Sequence, residues 1–249
     1  MKHLIKKAKT IFADYNKLYT LDACIGHCMD EDDAKQLMKL PRYEISARLM
    51  YEYNCTAKSG YTLETANELK YFLPRLLELV VEGAEIHHSE ELYLQRCYMM
   101  PKDAWTQDEL DFLNEFAQAY FRNQVSQNIK GCSCGTCTKW TTIDETLIML
   151  SYLPIDYNAL LALWTNLNTP NAILHFALMF DMNSFRFMHN AFASETGINL
   201  AITRYFSDAE IQKIWIQKIE NLVWKETHSI TDEELLYLDT LHTKLTFFE

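Results

Sequence analysis

The sequence predicts an all-α protein: an irregular multi-helix bundle, with HEAT-like stacking of helical hairpins as its more regular form. Three observations point there. Apolar residues recur at intervals of three and four along most of the chain. Glycine and proline are scarce, six and five in 249 residues, and a sheet-rich fold of this length needs more turn residues. Capping patterns recur just ahead of apolar runs. No fixed-length repeat is legible.

The elements follow in order. Residues 4–18 read as an amphipathic helix with Leu4, Ile5, Ala8, Ile11, Phe12, Tyr15 and Leu18 on one side and lysines on the other. Asp30-Glu31-Asp32-Asp33 reads as the acidic first turn of a short helix through Leu40. It lacks the ligand alternation, central glycine and closing glutamate of an EF-hand. Residues 43–54 predict a helix with Ile45, Leu49, Met50 and Tyr53 inward. The most apolar helix of the first half is built around Asn67–Leu79, capped by Thr62 or Thr65 and ended by Gly83. Pro74 either kinks this helix or opens a second one. Lys70, Arg75 and Glu78 mark its expected solvent side.

His87-His88-Ser89-Glu90-Glu91 holds two histidines and two acids at one-turn spacings. It reads as a helix start capped by Ser89, with the acids at the positive helix end, or as a set of metal ligands. The zincin arrangement, two histidines four apart around a glutamate, is absent. Thr106-Gln107-Asp108-Glu109 is a capping box opening a helix to about Ser126. The second half reads as helices near 142–153, 156–166, 170–181, 184–194, 196–206, 208–225 and 232–246. Ser207–Glu210 and Thr231–Glu234 supply further capping boxes.

Tyr71-Phe72-Leu73-Pro74-Arg75-Leu76-Leu77-Glu78-Leu79 resembles a segment of a family of uncharacterised bacterial all-helical proteins. Cys24-Ile25-Gly26-His27-Cys28, His88-Ser89-Glu90-Glu91-Leu92 and the Trp105–Ala117 pattern resemble it too. The resemblance covers roughly the first half. It implies a helical fold and no particular activity. Cys24 and Cys28 stand four apart where that family suggests a CxxC.

The formal net charge is −11, which disfavours a phosphate backbone as partner. Residues 78–115 hold ten acids against Arg96 and Lys102, whereas the first seventeen residues hold five lysines against Asp14. This asymmetry reads as solvated helix faces or as a surface for a basic partner. No apolar run reaches the ~18–20 residues a membrane span needs. Lysines interrupt the N-terminal apolar residues, so no signal-peptide core is present. Seven cysteines, an odd number, suit a reducing compartment. The expectation is a cytoplasmic protein without a membrane partner.

Asn128–Trp140 is the glycine-rich loop, and it carries Cys132, Cys134 and Cys137. The predicted organisation is an N-terminal helical half (1–127), this loop (128–140) and a C-terminal helical half (141–249), or one continuous domain. The three thiols could hold a structural zinc, with Cys28 as fourth ligand, or Cys24 or His27 in its place. The loop reads equally as a surface segment with reduced thiols, and Cys134–Cys137 as a redox pair. Cys55 and Cys97 read as buried small hydrophobes. His175, His189, His228 and His242 read as core or surface histidines.

Phosphate loops, dinucleotide fingerprints and G-x-S-x-G are absent. The leading functional expectation is a non-enzymatic protein-binding module, such as an immunity or antitoxin-type protein covering a basic toxin. The alternative is a metal-dependent enzyme or zinc-stabilised scaffold. The enzyme would use Cys132, Cys134 and Cys137, or His87, His88 and Glu91.

Overall fold

The structure, a computed structural model, describes residues 1–57, 62–129, 143–181, 186–187, 190–226 and 230–247. Among them twelve α-helices follow in order: α1 Lys2–Ile11, α2 Glu31–Lys39, α3 Ala47–Cys55, α4 Leu63–Glu82, α5 Gln95–Tyr98, α6 Gln107–Val125, α7 Asp144–Ser151, α8 Tyr157–Asn166, α9 Pro170–Met179, α10 Ile198–Phe206, α11 Ala209–Glu226 and α12 Asp232–Phe247. The fold is all-α, as the periodicity predicts. Two two-residue strands, Phe180–Asp181 and Arg186–Phe187, pair antiparallel. Among the described residues no helix is long and apolar enough to cross a membrane.

The chain forms two compact units: Met1–Tyr120 with Met149–Ile155, and Phe121–Ile148 with Asp156–Glu249. In the first, α4 supplies the core with Leu69, Phe72, Leu73, Leu76, Leu77, Leu79 and Val80, all buried. Thr62 and Thr65 cap it reciprocally, and Gly83 closes it at φ 69°, the left-handed conformation that glycine adopts without a Cβ clash. Pro74 lies inside this one helix rather than opening a second. Helix α1 packs on α4. Lys9 reaches Glu78 at 2.8 Å, and Lys7 pairs with Glu115. The basic N-terminus and part of the acidic middle therefore neutralise each other.

Three expectations for this unit need correction. Helix α1 ends at Ile11, not residue 18. The buried Arg42 guanidinium donates to the carbonyls of Phe12 (3.2 Å) and Tyr15 (2.8 Å), fixing a non-helical path there. Residues 42–44 form a 3-10 turn, and α3 starts only after Ser46, which caps it through the Leu49 N–H. Lys70, expected at the solvent side of α4, is 1 % exposed, because α6 brings Glu109 to meet it.

In the second unit, Trp164 (α8), Phe176 (α9), Phe206 (α10) and Trp215 (α11) are fully buried or nearly so. Phe176 stacks on Trp215 at 3.9 Å, and Trp164 meets both edge-on at 5.5 and 5.9 Å. Each such pair adds ~0.5–1.5 kcal/mol beyond its buried area. The Trp164 indole N–H donates to the Ala172 carbonyl at 2.9 Å. Of the helix expected at 184–194, residues 184–185 and 188–189 lie outside the described residues; among the rest, 186–187 pair with 180–181, and Ala191–Ser194 is a 3-10 turn capped by Asn190. Asp208, rather than Ser207, caps α11, accepting from the N–H groups of Glu210 and Ile211.

Candidate metal centre

Helix α3 ends at Cys55, and its last turn is tied to the segment after α4. Asn54 donates through Nδ2 to the carbonyls of Ile86 (3.0 Å) and Tyr93 (3.4 Å). Arg96 donates to the Thr56 carbonyl at 3.2 Å and lies 3.9 Å over the Tyr53 ring. Ile86 is fully buried and anchors the residues that follow. The chain bends at His87–Ser89. In an extended chain successive side chains point to opposite faces; here the His87 and His88 rings lie 4.2 Å apart, tilted by 42°.

Cys55, His87 and His88 thereby converge. One ligand atom from each lies within 4.8 Å of the others. Donor atoms around a tetrahedral zinc stand about 3.5 Å apart, from Zn–S near 2.3 Å and Zn–N near 2.0–2.1 Å. A contraction of roughly an ångström would close the set.

His87 is 5 % exposed, and its Nδ1 is buried with no hydrogen-bond partner among the described residues. Burial, and then the neighbouring His88, hold its pKa down at about 4. The ring is therefore neutral near pH 7 and keeps the lone pair a metal needs. Partial burial pushes the Cys55 thiol up, while the His88 backbone N–H and the Tyr51 hydroxyl favour its thiolate. Metal binding would displace that thiol proton.

The sequence-predicted ligands are distributed otherwise. Cys132, Cys134 and Cys137 lie outside the described residues. Cys28 is exposed, in a tight loop whose Gly26 has φ 86°. The loop folds back so that the Cys28 N–H reaches the Cys24 carbonyl at 3.0 Å. The Ala57 backbone and the Cys24 thiol hold the Cys28 thiol below its ordinary range. His27 is exposed. Glu91 accepts the Ser89 hydroxyl and stands outside the Cys55–His87–His88 set. Ser89 makes no side-chain cap; a 3-10 turn, Glu90–Leu92, stands where a longer helix was expected.

Cys55 corrects the reading of a buried small hydrophobe: it is exposed. Sequence reasoning missed it because its partners lie more than thirty residues on. The available signal was a cysteine closing a helix and an adjacent histidine pair. Cys97 is buried as expected, its thiol pushed up to about 12 by burial. His175 is a core histidine, with Nε2 3.2 Å from the Gln127 carbonyl.

Compared with protein-family models, with curated proteins and with solved structures, the chain finds no match.

Proposed function

We propose that this protein binds a divalent transition metal, zinc foremost, through Cys55, His87 and His88. The observation that carries this reading is His87, a neutral imidazole almost wholly buried, with an unpartnered Nδ1, whose ring converges with a second imidazole and a thiol. An unsatisfied buried nitrogen costs ~1–3 kcal/mol, and coordination through Nδ1 would remove that penalty. Thiolate with imidazole is a donor set suited to zinc. Three protein ligands leave one tetrahedral position. A fourth side chain there would make the site a structural clasp between α3 and the 86–96 segment. A water there would be acidified and serve metal-assisted hydrolysis.

The test is thermal unfolding of chelator-stripped protein with and without zinc. Zinc at 100 times its dissociation constant should stabilise the native chain by about 2.7 kcal/mol. Cys55→Ser and His87→Ala should abolish the shift. An equal shift in both variants would rule the site out.

A second reading, protein binding, has its own observation in the other unit. Trp224 is 85 % exposed at the end of α11, and Leu236 near the start of α12 is 55 % exposed. Glu220, Asp232 and Glu233, all exposed, belong to the same two helices. An apolar surface carried with acids suits a basic, amphipathic segment of another protein, including the toxin partner of an immunity-type protein. Trp224→Glu should abolish capture of such a partner while leaving stability within about 0.5 kcal/mol; unchanged capture would exclude this surface.

A further inference from the structure

Lys218 on α11 is an ammonium at 9 % exposure with no carboxylate partner among the described residues. Its Nζ donates to the carbonyls of Thr165 and Leu167, the latter at 2.6 Å, at the C-terminal end of α8. These oxygens take two of its three protons and offer only the partial charge of a helix end. Among the described residues a full counter-charge is missing, and burial pushes the Lys218 pKa down to about 8.

Lys218 lines a cavity of ≈ 440 Å³, within the ~300–1,000 Å³ of small-molecule sites. None of its lining residues is an acid, in a chain of net charge −11. Ile214, Lys218, Leu222 and Lys225 follow at helical spacing, so one face of α11 brings two ammonium groups and two aliphatic side chains to the cavity. Ile173 adds apolar wall from α9. Ile214 is 41 % exposed at this cavity. The side-chain amides of Gln217 and Asn221, also on α11, line it as well.

We propose that this cavity binds a small amphipathic organic anion, a carboxylate with an aliphatic or aryl body. The carboxylate is the counter-ion that Lys218 lacks, with Lys225 as second cation, and the body lies against Ile173, Ile214 and Leu222. A buried ammonium that gains a paired carboxylate exchanges an uncompensated charge for a charge-assisted hydrogen bond. The site lies in the unit that does not hold Cys55 and His87, and it stands apart from the metal reading.

The experiment is a two-dimensional NMR titration of the full chain with octanoate, and with octanol and octylammonium as neutral and cationic chains of equal length. Octanoate should bind saturably and shift the side-chain amides of Gln217 and Asn221. Octanol and octylammonium should bind at least about tenfold more weakly, a factor expected for one charged contact. Lys218→Met should lose about tenfold or more in octanoate affinity, and Lys225→Gln several-fold. If Lys218→Met does not fold, the Lys225→Gln variant and the comparison of headgroups decide. Octanol binding as tightly as octanoate, or no saturable shift at the two amides, overturns the proposal.

Discussion

Lys70 Nζ stands 2.6 Å from Glu109 Oε2, joining α4 to α6 with both side chains almost wholly buried. The ammonium also donates to the Tyr15 hydroxyl at 3.0 Å and to the Ala104 carbonyl. The Tyr15 and Trp105 rings lie 4.9 and 5.1 Å from it. Glu109 in turn accepts the Thr106 N–H at 2.8 Å and so completes the capping box of α6. All three ammonium protons are used. Such a pair adds little over apolar residues of the same shape, but removing one partner strands a charge.

Lys70→Met should therefore cost about 3–5 kcal/mol. Lys70→Met combined with Glu109→Leu should cost less than the sum of the single changes. Urea unfolding midpoints at unchanged slope measure this. Strictly additive losses would show that the two groups do not interact.

Glu68 on α4 is a buried carboxyl that accepts from the Tyr53 hydroxyl at 2.9 Å and from the Asp22 N–H at 2.6 Å. Burial outweighs both and raises its pKa from 4.5 to about 7. Between those values the native state binds more protons than the unfolded chain. The contribution to stability is complete below the unfolded value and is lost as pH rises through 7. From pH 5 to pH 8 the protein should lose roughly 2–3 kcal/mol relative to Glu68→Gln. Denaturant unfolding at both pH values measures the difference, and a constant difference between the two proteins would contradict the assignment.

In the second unit, Phe176 stacks on Trp215 and meets Trp164 edge-on. Phe176→Ala should destabilise by about 3–5 kcal/mol, a transfer loss plus a cavity. Trp224→Ala, at an exposed ring, should change stability by less than about 0.5 kcal/mol. Equal effects in thermal unfolding would mean that the aromatic cluster does not hold this unit together.

Much of the fold was legible because it is locally encoded. The Thr106/Glu109 and Thr231/Glu234 capping boxes form as the sequence predicts, and Gly83 ends α4. What failed was decided by distant residues. Arg42 stops α1 by taking the Phe12 and Tyr15 carbonyls from some thirty positions away. Glu109 draws Lys70 inward. The strand pairing of Phe180 with Phe187 overrides the helical pattern at 186–187. The candidate metal centre has the same character: its histidines are adjacent in sequence and legible there, but their thiol partner is set by the hydrogen bonds of Asn54.

Cobalt(II) titration tests the metal centre most directly, because a thiolate ligand gives cobalt a charge-transfer absorption of its own. The band should appear in the native chain and persist when Cys24, Cys28, Cys132, Cys134 and Cys137 are all replaced by serine. It should disappear in Cys55→Ser and in His87→Ala. A band that survives Cys55→Ser and vanishes when those five cysteines are replaced would contradict the assignment.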